Sequence, residues 1–250
     1  VSAPQASRKA DEVAGDLLRR IVKGDIAVGS LLPKEADLAD AYGVGRSVVR
    51  EANKLLEVHR LVRPTRRKGT EVLDPLGSVT PAVLHAMLFD EEGSVDRSML
   101  SEFLEIRAAL DIEMTRLAAA RRTQADLVRL ERAAVAIEAV DPGSEDSFQA
   151  ISEFGHSLAL ATKNRIFVML AHWHAQIARD LEPLLHRTRA PVARQQGHRM
   201  LVDAIRDRDV RLAGELVAEY HRWANQELIK AARDARRARR ASTAEPRTVG

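Results

Sequence analysis

Residues 43–52, GVGRSVVREA, set Arg46 and Arg50 four apart on a short helix that leaves a glycine turn. That spacing puts both side chains on one helical face. An isolated pair of this kind also suits a plain solvated face, so its surroundings carry the argument. Residues 8–23 place Val13, Leu17, Leu18 and Ile21 at helical spacing. GDIAVGSLLP then breaks the helix with two glycines and a proline. Residues 35–42 predict a short second helix, closed by Gly43. Residues 46–58 predict a third, with Val49, Ala52, Leu55 and Leu56 inward. Leu61–Val62 and Thr70–Leu73 read as short strands around the basic tip RPTRRKG.

Three short helices followed by a two-stranded wing describe a winged helix-turn-helix. The third helix of such a unit can lie in the major groove with its N-terminal residues at base edges. Arg46, Ser47 and Arg50 occupy that end. Arginine matches guanine O6 and N7 with two donors, and serine reaches bases or phosphates. Arg66, Arg67 and Lys68 at the tip can reach a phosphate ridge or the minor groove. Lys34, ahead of the second helix, completes the DNA-contact set.

The other residues follow a different pattern. LDPLGSVTP, residues 73–81, reads as a linker. Beyond it helices are expected near 80–90, 97–121, 124–139, 145–162, 165–187, 192–208 and 210–238, with Thr123 and Ser144 as N-caps and a break at DPG, residues 141–143. The fold class is therefore mainly α, an N-terminal winged helix-turn-helix with a C-terminal all-helical bundle. The expected boundaries are 1–73 for the first domain, 74–81 for the linker, 82–238 for the bundle and 239–250 for a basic, disordered tail. Charge follows this division: +3 over residues 1–78, −5 over 79–229 and +5 over 230–250. No apolar run approaches the ~20 residues that span a bilayer. The first residues lack the apolar core of a secretory signal. With no cysteine, thiolate metal sites and disulfides are excluded. A cytoplasmic protein without membrane contact is the expectation.

The stretch LLPKEADLADAYGVGRSVVREANKLLEVHRLVRPTRRKGTEV resembles the DNA-binding domain of GntR-type bacterial transcription regulators. Pro33, Glu35, Gly43, Arg46, Arg50, Glu51 and Ala52 stand where that family's pattern puts them. Gly45 replaces the usual serine, and Arg66-Arg67 replaces the usual His-Gly of the wing tip. The helical half is similar to the effector domain of the FadR-like branch, on the strength of LEIRAALDIEMTRLAAARRT, LATKNRIF and HRMLVDAIRDRDVRLAGELV. The resemblance implies a homodimer on a double-stranded palindromic operator, controlled by a small molecule bound within the helical domain.

Many members of that branch hold a metal with an aspartate, a histidine four residues later and two further histidines. Counted from Asn164, those first two places fall on Ile151 and Gly155; counted from His198, the last falls on Tyr220. His156 and His221 each miss by one residue, a rotation of about 100°. The apolar stripe Phe148, Ile151, Phe154 and Leu158 excludes His156. The stripe Leu212, Leu216, Tyr220 and Trp223 excludes His221. Only His198 is expected inward, so neither a metal nor another cofactor is expected.

Arg107 shares an apolar face with Phe103, Leu110 and Met114, with Asp111 at its edge. A buried arginine needs a partner. It has one either in an internal ion pair with Asp111 or in an effector's carboxylate or phosphate, His198 and Tyr220 then adding hydrogen bonds. The effector class stays open between a small organic acid and an acyl or acyl-CoA group. Two other functions compete. A histidine-dependent metalloenzyme, or a metal-binding relative sensing a carboxylate, would use the histidine-rich helices. The chain has no His-Glu-x-x-His element, phosphate loop or nucleophile elbow, so an enzyme is not expected. An architectural nucleic-acid protein would grip phosphates with Arg236, Arg237, Arg239 and Arg240.

Overall fold

The computed structural model describes residues 5–141, 144–181, 184 and 191–244. The chain divides into two compact units, 1–93 and 94–250. Among the described residues no helix is long and apolar enough to cross a membrane.

In the first unit, α1 (Gln5–Lys23), α2 (Glu35–Tyr42) and α3 (Arg46–Val58) precede an antiparallel pair, β1 (Val62–Thr65) and β2 (Gly69–Val72). Their core is the predicted one: Val13, Leu17, Leu18 and Ile21 of α1 meet Val49, Ala52 and Leu56 of α3. Gly43 takes a left-handed φ of 60° and its N–H returns to Ala39 and Asp40, which ends α2 and sets the entry to α3. The side chain of Tyr42 locks α2 to α1 by donating to Asp16 and accepting from Arg20 at 3.3 Å. The strands pair Val62 with Val72 and Thr65 with Gly69, so the first strand runs three residues farther out than the sequence suggests. Within the turn Lys68 N–H donates to the Thr65 carbonyl at 3.0 Å. Arg67, standing at the family's glycine, holds a left-handed φ of 63°.

A 3-10 turn at Pro75–Gly77 sits inside the expected linker, with the Asp74 carboxylate accepting from Leu76 N–H at 2.9 Å. The helix that follows, α4 (Pro81–Leu88), packs on α1, and its Val83 and Ala86 enter the first unit's core. The compact boundary therefore lies after Gly93, beyond the expected linker.

The second unit contains α5 (Arg97–Arg121), α6 (Gln124–Glu138), α7 (Glu145–Ala161), α8 (Arg165–Asp180), α9 (Pro191–Arg206) and α10 (Val210–Ala244). Expected caps are present: Thr123 and Asp126 form a reciprocal capping box, and the Ser144 hydroxyl accepts from Ser147 N–H. The ends of α5 and α9 cap each other. The Arg122 guanidinium donates to the Ile205 carbonyl, and Arg208 donates to the carbonyls of Ala120 and Arg122. Cations at helix C-termini satisfy carbonyls that have no partner inside the helix. The α10 helix extends through Ala244, so residues 239–244 of the expected disordered tail are helical. Residues 245–250 of that tail, Pro142 and Gly143 of the DPG break, and the far end expected for the 165–187 helix lie outside the described residues.

Candidate functional site

The first candidate surface is the N-terminal end of α3. Arg46, Ser47 and Arg50 are exposed there while Val49 and Ala52 on the opposite face are fully buried. Gly45 is the N-cap and supplies no side-chain hydrogen bond. Arg50 donates from Nε to Glu35 Oε2 at 2.8 Å, which ties the third helix to the first residue of α2. Lys34 is exposed just before α2, and Arg66, Arg67 and Lys68 are exposed at the wing turn. A positive surface of this kind, one helix end with a basic hairpin beside it in sequence, is suited to a duplex whose phosphates attract it and whose groove admits the helix.

The second candidate is a charge cluster inside the helical unit. Arg107 Nε lies 3.5 Å from Asp111 Oδ2, and His221 Nε2 reaches the same oxygen at 3.0 Å. His174 is close enough to all three to feel their charges. Burial raises the cost of charging Asp111, but the His221 hydrogen bond and the Arg107 charge outweigh it and hold the carboxyl below its usual range. Burial pushes His174 the other way from a usual imidazolium, downward, aided by Arg107 and His221 and opposed by Asp111. Phe103 lines the same face of α5, with its ring 5.9 Å from His174 and 6.1 Å from Trp173. The indole Nε1 of Trp173 is buried with no hydrogen-bond partner. Arg107 itself is only partly buried, and its Nη groups have no partner among the described residues.

Of the two sequence alternatives for Arg107, the internal ion pair with Asp111 is present. Asp111 lies where expected. His198 does not join them; its ring packs edge-on against Phe154 at 4.8 Å. Tyr220 does not join them either. It is 44 % exposed, whereas His221 is 4 % exposed, which reverses the expected phase of α10. The buried line is Ala213, Val217, His221, Ala224 and Leu228, and the bulky Leu212 and Trp223 face outward. Alanines let α10 lie close against α5, and Gly214 makes room for Arg116 there: a Cβ would fall 2.5 Å from its Nε. Side-chain bulk was the misleading signal. The 4-4-3-4 spacing of the small residues with His221 was the available one. His174 was also missed, although it shares a line with Leu170, Ile177 and Leu181 at helical spacing.

The branch's metal does not fit these residues. Ile151 and Gly155 offer no donor atom, and Tyr220 points away from the interior. The neighbouring His156 lies beside His172 with ring centroids 4.7 Å apart and the rings tilted by 46°, and its Nδ1 is buried without a partner. Among the described residues no three His, Asp or Glu side chains converge as ligands.

Comparison with known proteins decides the family. Residues 9–72 match the model described as bacterial regulatory proteins, gntR family, and residues 102–222 match the FCD domain. An HTH-type transcriptional regulator of Mycobacterium tuberculosis is 32 % identical over 170 residues, 68 % of each chain. The chain belongs to the GntR family. It is a transcription regulator with an FCD effector domain, and its relatives are regulators rather than enzymes. The Escherichia coli Uxu operon transcriptional regulator is 32 % identical over 68 % of this chain and 64 % of its own length. The E. coli galactonate operon transcriptional repressor is 27 % identical over 80 % of this chain and 88 % of its own. Among solved structures, Listeria monocytogenes Lar shares the fold with a TM-score of 0.57 at 18 % identity, covering 90 % of this chain and 96 % of that one.

Proposed function

We propose that this GntR regulator is a cytoplasmic homodimer that reads a palindromic DNA operator with α3 and releases or tightens its hold when a small organic acid binds the helical unit. The observation carrying the DNA reading is the exposed Arg46, Ser47 and Arg50 at the N-terminal end of a helix whose other face is buried. Arg50 reads a guanine, and Lys34, Arg66, Arg67 and Lys68 hold phosphates. The effector's carboxylate meets the free edge of Arg107, with Asp111, His174 and His221 fixing that arginine and supplying polar contacts. Galactonate, named for one relative, is an acid of this class. An acyl-CoA has less support, because a single half-buried arginine matches a carboxylate better than a nucleotide bearing a diphosphate and a ribose phosphate. The effector shifts the DNA-binding equilibrium only as far as its affinities for the two arrangements differ.

Selection of bound duplexes from a random library by the full chain tests the first half. An inverted repeat containing guanine is expected, and recovery of unrelated sequences contradicts the reading. Titration of that duplex complex with a panel of aldonic and hexuronic acids tests the second. Arg107→Ala should abolish the response of whichever acid acts, with DNA affinity in its absence retained.

A further inference from the structure

Arg46 and Arg50 share one face of α3, yet the structure holds them differently. Arg46 has no ion-pair partner among the described residues, whereas Arg50 is tied at Nε by Glu35. That ion pair is exposed, with side-chain exposures of 64 % for Arg50 and 38 % for Glu35. Exposed pairs contribute little to stability, so the main effect of this one is geometric.

We infer that Glu35 is a positioning residue that sets the base specificity of Arg50; this rests on the reading of α3 as the base-reading helix. A guanidinium is a rigid plane with a side edge, Nε with one Nη, and an end edge made of both Nη groups. Either edge can offer two parallel donors. With Nε–H given to Glu35, only the end edge remains free, and it points away from the carboxylate. That edge is the pair of donors that guanine O6 and N7 accept. An untethered arginine instead swings among phosphates and bases and discriminates weakly. Glu35 is itself held in place: it opens α2, where the helix N-terminus favours a negative charge. Its charge also repels phosphate, which penalises complexes in which Arg50 finds no guanine to compensate.

Two consequences separate positioning from a merely structural role. Loss of Glu35 lowers the ratio of affinities for the selected duplex and its single-base variants, and raises affinity for shuffled DNA. A structural defect lowers both affinities together. The experiment measures full-length wild type, Glu35→Gln, Glu35→Ala, Arg50→Ala and the Glu35→Ala/Arg50→Ala double variant on the selected duplex, on each guanine substitution and on a shuffled duplex. Glu35→Gln, which keeps an acceptor for Nε–H, should retain most discrimination. Glu35→Ala should lose about tenfold of it at one guanine position, and the double variant should lose no more at that position than Arg50→Ala. Unchanged discrimination in Glu35→Ala, or equal loss with and without Arg50, overturns the positioning role alone. Unchanged discrimination in Arg50→Ala overturns the base-reading assignment and the positioning role with it.

Discussion

The two units are both helical, but they are fixed in different ways. In the first, short helices are pinned by punctuation: Gly43 ends α2, Pro33 precedes it, and a four-residue turn closes the wing. Each marker resets the helical phase, so an error cannot accumulate. In the second, α10 runs from Val210 to Ala244 with no internal marker, and its buried face is chosen by close packing against α5. There a one-residue error turns a side chain by about 100°. The contrast teaches that position along a long helix is easier to read than orientation about it.

The sharpest way to break this comparison is at the centre of the second unit. Asp111→Ala leaves Arg107 and His221 without their shared carboxylate. It should destabilise the chain by about 3 kcal/mol in chemical denaturation. His221→Ala should cost about 2 kcal/mol and Tyr220→Ala less than about 1 kcal/mol, since one is buried and the other is not. The opposite order would restore the phase expected from bulk.

A second test concerns how the helical unit responds to acid. Asp126 is fully buried, and although burial opposes its charge, hydrogen bonds from Lys163 and Thr123 hold its pKa at about 2. A depressed carboxyl stabilises the fold above its unfolded value of 3.8 and loses that contribution as pH falls through the folded value. Stability of the helical unit should therefore drop by about 2 kcal/mol between roughly pH 5 and pH 1. Lys163→Met should shrink that drop, which melts across this range would reveal.

The wing yields a smaller effect. Arg67 holds a left-handed backbone that costs a non-glycine residue about 1 kcal/mol. Arg67→Gly should raise stability by up to that amount, lower DNA affinity and reduce the slope of log affinity against log salt by about 1. The smallest effect is at Gly45, an N-cap without a side-chain acceptor and with space for a Cβ. Gly45→Ser should stabilise α3 by a few tenths of a kcal/mol in thermal unfolding.

Much of the fold was legible because its signals are local. The arginine pair, the glycine turn, the hairpin, and the Thr123 and Ser144 caps each depend on a few neighbouring residues. The pairing of α4 with the first unit was not legible, because PAVLHAML is apolar enough to suit either core. At the candidate effector site Arg107 and Asp111 were found because they lie on one helix. His174 and His221 were missed because they come from α8 and α10, and only the packing of those helices against α5 decides which side chains meet. Glu35 was visible as a residue of the family pattern, but its bond to Arg50 spans 15 residues and belongs to the tertiary structure.

The most direct test of the account is the affinity of the full chain for the selected duplex and for a shuffled duplex of equal length, measured at increasing salt. Both affinities should fall as phosphate contacts release counterions. The selected duplex should stay at least about a thousandfold tighter, as base reading requires. Equal affinity for the two duplexes at every salt concentration would contradict the central claim that α3 reads base sequence.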